Sequence, residues 1–333
     1  MTVTTPAGFT AAGVAAGLKS TGAKDLALVV NHGPTFDSAT VFTANRCKAN
    51  PVLWSQEVVK DGVVRAVVLN SGGANCYTGA DGFQTTHAVA ERVAGHLGIG
   101  AIDVVVCSTG LIGLANSRDA LLAGVDTAYA ALAASGGDDA AHAIMTTDSI
   151  SKQVVVEGAG WSIGAMAKGA GMLAPQLATM LVVLTTDAVV PAAELDTALR
   201  AATRVSFDRL DSDGCMSTND TVTVMASGAS GITPTPDDFT TALMVGGIEA
   251  KSLRRCPRGD ESLNQTERRP RLLPAWFDDH RDLQRDGWQP KRVHRRRVTR
   301  HDQTEAVCGR EVGDRAARLR AESFVDHAHV ETA

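Results

Sequence analysis

A threonine at residue 179 lies where a glycine-containing loop meets an apolar run, and this position suits nucleophilic chemistry. The loop spans 168–178, and the run 180–184 contains only Met, Leu and Val. A threonine hydroxyl is a weak nucleophile unless a base or its own free α-amine activates it. Cleavage of the bond between Ala178 and Thr179 would leave Thr179 as an amino-terminal residue that carries both groups. An ordinary loop leading into a core strand is the alternative, because short motifs often match by chance.

A second group of polar residues lies at the end of another strand-like run. The run at 102–107 stops at Ser108, Thr109 and Gly110. Backbone N–H groups and a hydroxyl at a strand end could hold the developing oxyanion of an acyl transfer, at about 3 kcal/mol per donor. As a lone motif, however, the pattern is more typical of a turn with a side-chain hydrogen bond.

Apolar runs and helical spacing predict the elements that must position these groups. The predicted strands are 25–30, 39–43, 63–70, 102–107, 153–156, 161–167, 180–184 and 222–226. The predicted helices are 83–98, 117–134, 137–145 and 192–205. The strands at 153–156 and 161–167 would form a hairpin that delivers Lys168 to the site. A Gly-Gly pair at 72–73 predicts a tight loop with positive φ.

The composition excludes several classes of protein. The chain has 333 residues, 44% of them hydrophobic, and a net charge of −5, which disfavours a nucleic-acid binder as a whole. No run reaches the length of a membrane span, and the first residues lack the pattern of a secretory signal, so we expect a cytoplasmic protein. The six cysteines are widely spaced without a Cys-x-x-Cys pair, which favours reduced thiols over disulfides or a zinc site.

The charge balance changes abruptly near residues 247–251. Residues 1–250 contain 13 basic and 23 acidic residues, whereas residues 251–333 contain 19 basic and 14 acidic residues. Of those 19 basic residues, 17 are arginine. Two different compositions therefore meet at this boundary, and one interpretation of the basic tail is that it contacts nucleic acid or an acidic partner.

Four stretches of the chain resemble the self-cleaving ornithine acetyltransferase (glutamate N-acetyltransferase) family. They are 168–187 around the cleaved bond, the Asn-Ser-Gly-Gly-Ala-Asn turn at 70–75, Ser-Thr-Gly-Leu-Ile-Gly at 108–113, and 207–221, which ends in Ser-Thr-Asn-Asp-Thr. The resemblance is nearly continuous from about residue 8 to about residue 246. One small departure is Cys-Tyr-Thr-Gly after the turn, where the family has Ala-Cys-Thr-Gly.

The resemblance implies a fold and a reaction. The fold would be α/β, with mixed sheets sandwiched by helices in an αββα arrangement, and not a Rossmann domain. Thr179 would attack the carbonyl carbon of Ala178, and water would resolve the resulting ester into an α chain (1–178) and a β chain from Thr179. Thr179 would then carry an acetyl group from N2-acetylornithine to glutamate in arginine biosynthesis, with acetyl-CoA as an additional acetyl donor.

The resemblance also implies roles for individual residues. Thr109 and Gly110 would form the oxyanion hole, while Thr146, Lys168 and the nucleophile itself would contact substrate. The cation of Lys168 suits a substrate carboxylate. Thr147 is the alternative to Thr146, since the match is uncertain by one residue. No metal and no bound cofactor are implied, and the cleaved chains would form an α2β2 heterotetramer.

The resemblance ends after Gly247, and the family's carboxy-terminal portion is absent. The predicted organisation is therefore an α-chain region at 1–178, the start of a β-chain region at 179–246, and an unrelated tail at 247–333. A shift of reading frame in a GC-rich gene would explain the arginine-rich tail, which we then expect to be poorly ordered. An inactive family member and an aminopeptidase of similar fold are the alternatives to an active acetyltransferase.

Overall fold

The computed structural model describes residues 2–169, 179–209 and 216–252. Ala178 lies outside this part of the chain, as does the predicted tail from residue 253 onward. Within the described residues, no helix is both long and apolar enough to cross a membrane.

Within residues 2–169, 179–209 and 216–252, two sheets form the centre of the fold. Across the first sheet the strands are β1 (Phe9–Val14), β2 (Leu26–Asn31), β4 (Ala66–Asn70) and β5 (Val104–Ser108). Across the second they are β3 (Ser38–Phe42), β9 (Thr221–Ala226), β8 (Leu181–Thr186), β7 (Ser162–Lys168) and β6 (Lys152–Glu157). The pairs β4–β5 and β8–β9 are parallel, and the other pairs are antiparallel.

In the described part of the chain, the helices are α1 (Asn50–Val58), α2 (Gly79–Leu97), α3 (Arg118–Ala130), α4 (Gly137–Ala143), α5 (Ala192–Val205) and α6 (Pro236–Ser252). The helices α2 and α3 cover the outer face of the first sheet, and α5 and α6 that of the second, while α1 lies along the edge strand β5 and α4 adds buried alanines to the core between the sheets. Successive strand residues point to opposite faces, so Val68 packs toward α2 and α3 while Val67 faces the second sheet. In the same way Val182 packs toward α5 and α6, while Val183 joins the core between the sheets. The layers confirm the predicted αββα sandwich.

The predicted site residues lie at strand ends, on one side of each sheet. In the first sheet β4 and β5 are parallel, and Asn70 pairs with Ser108 at their carboxyl ends. In the second sheet β7 ends at Lys168, which pairs with Leu181 at the start of β8. Leu181 pairs in turn with Thr221 at the start of β9. The loops that follow β4, β5 and β7 and those that precede β8 and β9 can therefore meet.

Most predicted elements are confirmed, although their ends move by a few residues. The helix at 192–205 forms as predicted to the residue, because its buried positions follow helical spacing. The predicted hairpin forms as β6 and β7, and it ends at Lys168. Sequence patterns did not predict β1, α1 or α6. In β1 the sequence Phe-Thr-Ala-Ala-Gly-Val offers few strong strand formers.

The loop after β4 has positive φ, as predicted, but not at the Gly-Gly pair that gave rise to the prediction. In this loop Asn75 and Tyr77 have positive φ, at 51° and 59°. Gly72 is needed for close packing instead, because a Cβ atom there would lie 2.4 Å from the Cβ of Leu18. The short polar side chain of Asn75 tolerates the left-handed region better than most residues do.

Candidate active site

Thr179 is buried two residues before the start of β8, and both its hydroxyl and its carbonyl oxygen are hydrogen-bonded. Its Oγ1 accepts a hydrogen bond from the hydroxyl of Ser217 at 3.0 Å, and its carbonyl oxygen accepts one from Lys168 Nζ at 2.8 Å. The next backbone N–H, that of Met180, donates to Asp220 Oδ1 at 2.8 Å. The end of β7 and the loop before β9 therefore fix the predicted nucleophile from two sides.

Lys168 connects the two groups of residues that the sequence singles out. It is the last residue of β7, and only 1% of it is exposed. Its Nζ donates to Thr109 Oγ1 at 3.1 Å and to the carbonyl oxygen of Thr179 at 2.8 Å. Thr109, Lys168 and Thr179 are thus brought together at one point, although 59 residues separate the first two. Its contact with a substrate carboxylate stays a prediction.

At the strand end, fewer donors are available on Thr109 and Gly110 than the sequence suggests. The N–H of Thr109 donates to the carbonyl of Asn70 at 2.9 Å, so this group is already used. The Thr109 hydroxyl accepts from Lys168, which leaves its own proton for another acceptor. Gly110 has φ of 130°, and a Cβ atom there would lie 2.6 Å from the carbonyl oxygen of Gly72. The oxyanion role of this pair stays a prediction, with the Thr109 hydroxyl as one donor.

Two further residues belong to the site and were not assigned a role from the sequence. The Ser217 hydroxyl, which donates to Thr179, accepts from the N–H of Asn219 at 3.1 Å. The Asn219 side-chain amide donates to the carbonyls of Ala74 at 2.7 Å and Ser108 at 2.9 Å. Asn219 therefore ties the loop before β9 to the first sheet. The family-like Ser-Thr-Asn-Asp-Thr stretch was a signal for this region, but it does not reveal which side chain meets Thr179.

Thr146, the predicted substrate-contacting threonine, is linked to the site by the carboxylate of Asp148. The N–H of Thr146 donates to Asp148 Oδ2 at 3.3 Å, and Asp148 Oδ1 accepts from the N–H of Gly169 at 2.8 Å. The Thr146 hydroxyl is buried and has no hydrogen-bond partner among the described residues. Thr147, by contrast, is exposed. A buried hydroxyl without a partner suits a ligand contact better than an exposed one, which favours Thr146.

Asp148 is ionised in this environment. Burial alone would raise the pKa of its carboxyl group. The cation of Lys168 and the hydrogen bonds from Lys152 and Gly169 outweigh that effect and lower the pKa below its ordinary value of 3.8. The site therefore contains a buried carboxylate between two buried lysine side chains.

The nearby thiol is a poor competitor for Thr179 as nucleophile. Cys107 lies two residues before Thr109, and burial raises the pKa of its thiol to about 12. The thiol is therefore protonated at neutral pH, and a thiol reacts as its thiolate. Cys47, Cys76 and Cys107 are all free. In the described part of the chain, no cluster of three or more His, Cys, Asp or Glu side chains could hold a metal ion.

The arrangement suits acyl transfer through a threonine ester. A hydroxyl at Thr179 accepts its hydrogen bond from Ser217, so its own proton is left for a base. A second hydroxyl, on Thr109, lies on the other side of the Lys168 cation. Nucleophile, hydroxyl donor and cation are the components that activate an acyl group and stabilise a tetrahedral oxyanion. The scissile residue Ala178 lies outside the described residues.

Comparison with known proteins gives similar sequences over the same range. The arginine biosynthesis bifunctional protein ArgJ of Streptomyces coelicolor is 62% identical over 243 residues, which make up 73% of this chain and 63% of that protein. The ArgJ protein of Mycolicibacterium paratuberculosis is 60% identical over 250 residues, 73% of this chain and 62% of that protein. The chain thus spans less than two thirds of the length of the curated relatives it matches.

Solved structures show the same fold. Ornithine acetyltransferase of Mycobacterium tuberculosis, crystallised with ornithine, is 58% identical with a TM-score of 0.51, covering 52% of this chain and 94% of that one. A β-aminopeptidase of a Burkholderia species also has a TM-score of 0.51, at 16% identity, covering 76% of this chain and 84% of that one, and it shows likeness of fold alone. The model of the ArgJ family matches residues 10–247, the range that contains every residue of the site. The chain belongs to the ArgJ family.

Proposed function

We propose that this chain is a self-cleaving acyltransferase that moves an acetyl group from N2-acetylornithine to glutamate, a glutamate N-acetyltransferase activity of arginine biosynthesis. The observation that carries the proposal is the bridge made by Lys168, whose Nζ joins Thr109 Oγ1 to the carbonyl of Thr179. The names of the relatives support the same activity, since they are bifunctional proteins of arginine biosynthesis and an ornithine acetyltransferase.

The first step is cleavage of the chain. Thr179 Oγ attacks the carbonyl carbon of Ala178, and the oxyanion is held by the Thr109 hydroxyl and the Gly110 N–H. The C–N bond then breaks, the leaving α-amine of Thr179 takes up a proton, and an ester remains. Water hydrolyses that ester, which frees the Ala178 carboxylate and the Thr179 hydroxyl. Two chains result, 1–178 and 179–333.

The solved relative supports such a division. Since 52% of this chain matches 94% of the solved ornithine acetyltransferase chain, that chain is only a little more than half as long as this one. An amino-terminal chain that ends at residue 178 would have a similar length. We also propose that the two chains stay associated as an α2β2 heterotetramer, as the family resemblance implies.

The second step is acetyl transfer. The freed amine of Thr179 acts as general base for its own hydroxyl, which attacks the acetyl carbonyl of N2-acetylornithine. Ornithine leaves with a proton on its amine, and an acetyl ester remains on Thr179. The amine of glutamate then attacks this ester, which yields N-acetylglutamate and restores the hydroxyl. Thr146 and Lys168 would contact the substrates.

We propose that the reaction proceeds without a resident metal or cofactor, because each step passes an acyl group from one nucleophile to another and none changes an oxidation state. Acetyl-CoA would enter as an additional acetyl donor, and its thioester would acetylate the same Thr179 hydroxyl. We propose a cytoplasmic location, in line with the reduced thiols and the substrates. Contact of the basic tail with nucleic acid stays a prediction, and it falls on residues outside the described part of the chain.

Intact mass of the purified protein beside a Thr179→Ala control tests the first step. We expect two chains divided between Ala178 and Thr179 in the wild type and one 333-residue chain in the control. Formation of N-acetylglutamate from N2-acetylornithine and glutamate tests the second step. A single uncut chain in both samples, with no transfer, would support the alternative of an inactive family member.

A further inference from the structure

Asp148 lies where three segments of the chain meet next to the site. Its side chain is fully buried. One oxygen accepts hydrogen bonds from the Lys152 ammonium at the start of β6 and from the Gly169 N–H just after β7, the latter at 2.8 Å. The other oxygen accepts from the Thr146 N–H at 3.3 Å. A single carboxylate therefore ties the loop after α4 to both strands of the hairpin.

Asp148 is a counter-ion for the buried ammonium groups around it. Lys152 and Lys168 are 4% and 1% exposed, and both are close enough to act on this carboxylate. Lys19 contributes a third nearby cation, which is held by the carbonyl of Met145 at 2.8 Å. Buried like charges without an intervening anion are strongly unfavourable. Without Asp148, the ammonium groups of Lys152 and Lys168 would lose the carboxylate charge that stabilises both.

The bond to Gly169 bears directly on where the Lys168 side chain points. Gly169 is the residue after Lys168, and its φ of 142° is a backbone conformation that favours glycine. Fixing that N–H fixes the backbone from which Lys168 extends. The Nζ of Lys168 must meet two acceptors at once, Thr109 Oγ1 and the Thr179 carbonyl.

We propose that Asp148 is a positioning residue that acts through Lys168. It pins the carboxyl end of β7 through Gly169, balances the buried charges of Lys152 and Lys168, and so holds the Lys168 ammonium between Thr109 and Thr179. The inference rests on the proposed function, because chain cleavage is the step that this geometry serves.

The same strand offers a matched control at its other end. Asp187 is also a buried carboxylate, and it accepts from the N–H of Ser162, the first residue of β7, at 2.7 Å. It also accepts from the N–H of Ala7 at 3.1 Å. Asp187 therefore anchors β7 as Asp148 does, but its anchor point, Ser162, lies six positions before Lys168 in the strand.

The experiment compares Asp148→Asn with Asp187→Asn in the full chain. Thermal unfolding checks that each variant is folded, and a time course of intact mass gives the rate of cleavage. We expect both variants to unfold at lower temperature than the wild type. Only Asp148→Asn should slow cleavage, by roughly tenfold to 100-fold, because small misplacement of a catalytic group has effects of that size. Equal cleavage rates in the two folded variants would overturn the proposal.

A double variant separates positioning from a merely structural role. If Asp148 acts through Lys168, then Asp148→Asn combined with Lys168→Met should cleave no more slowly than Lys168→Met alone. Multiplied losses in the double variant would overturn the proposal, since Asp148 would then act by another route.

A wild-type chain that stays uncut would contradict the proposed function without deciding the role of Asp148. In that case crystal structures of the wild type and of Asp148→Asn give the answer. Loss of the hydrogen bond from Lys168 Nζ to the Thr179 carbonyl in the variant would support the positioning role. An unchanged hydrogen bond would overturn it.

Discussion

The substitution Thr109→Val removes one hydroxyl from the centre of the site and keeps a branched side chain of similar shape. Thr109 is fully buried, so a methyl group takes the position of the oxygen without leaving a large cavity. Lys168 Nζ would keep its bond to the Thr179 carbonyl and lose its bond to Thr109. The change therefore deletes a predicted oxyanion donor together with one acceptor of a buried cation.

Two magnitudes follow from that geometry. Loss of one oxyanion donor costs about 3–4 kcal/mol of transition-state stabilisation, which is roughly a 100-fold to 1000-fold fall in rate. Loss of one acceptor for a buried donor costs about 1–3 kcal/mol of folding free energy. A typical domain has about 5–15 kcal/mol of stability, so the variant should remain folded while its cleavage nearly stops.

The assay is the first-order rate of chain cleavage, followed by intact mass well below the unfolding temperature of every variant. Thr109→Ser keeps the hydroxyl and should cleave within a few-fold of the wild type. Thr40→Val is the matched structural control, because the buried Thr40 hydroxyl donates to Thr223 Oγ1 at 3.1 Å in the middle of the paired strands β3 and β9. It should lower stability and leave cleavage unchanged.

The reasoning would be refuted by a folded Thr109→Val protein that cleaves at the wild-type rate. Such a result would mean that Thr109 serves only as an acceptor for Lys168. A loss of rate in Thr40→Val as large as that in Thr109→Val would also refute it, since the effect would then come from general destabilisation.

Three further predictions concern hydrogen bonding and pH. Ser217→Ala should slow cleavage about tenfold or more in the same mass assay, because Thr179 Oγ1 loses its hydrogen-bond donor. An unchanged rate would show that Ser217 has no role in cleavage. Asp25→Ala should lower the free energy of unfolding, measured in urea, by at least about 3 kcal/mol. The reason is that Asp25 accepts hydrogen bonds from three backbone N–H groups at 2.6–2.9 Å. A loss below about 1 kcal/mol would contradict this prediction. Asp148 has a lowered pKa, so its stabilisation is complete above pH 3.8 and is lost as the pH falls through the folded-state value. Urea unfolding of Asp148→Asn should therefore depend less on pH below 3.8 than that of the wild type, and parallel profiles would contradict this.

The sequence predicts the elements well where local pattern decides them. The helix α5 shows buried residues at regular helical spacing, so the local pattern is enough to predict that a helix forms there. The strand ends at Ser108 and Lys168 are also visible as changes from apolar to polar residues. Elements whose stability comes from packing, such as β1, escape the pattern, since Phe9–Val14 is a strand mainly because it pairs with β2 and packs on α4.

The site is harder to predict because its contacts join residues that are distant along the chain. The family resemblance identified the roles of Thr109, Lys168 and Thr179. The structure shows why they group together: the Lys168 ammonium donates to the Thr109 hydroxyl and to the Thr179 carbonyl oxygen. The hydrogen bond from Ser217 to Thr179 spans 38 residues, and no local signal encodes such a pairing. The sequence shows which strands end in polar residues. Only the order of strands in each sheet and the packing of one sheet on the other decide which strand ends lie together.

Cleavage and transfer make different demands on this chain. The side chains proposed for cleavage lie between Thr109 and Ser217, inside the matched range 10–247, and one cation already joins two of them. Transfer also requires recognition of N2-acetylornithine and glutamate, for which the sequence assigns only Thr146 and Lys168 besides Thr179. Cleavage is therefore the sharper test of the geometry described. A chain that cleaves but does not transfer would assign substrate recognition to the part of the relatives that this chain does not match.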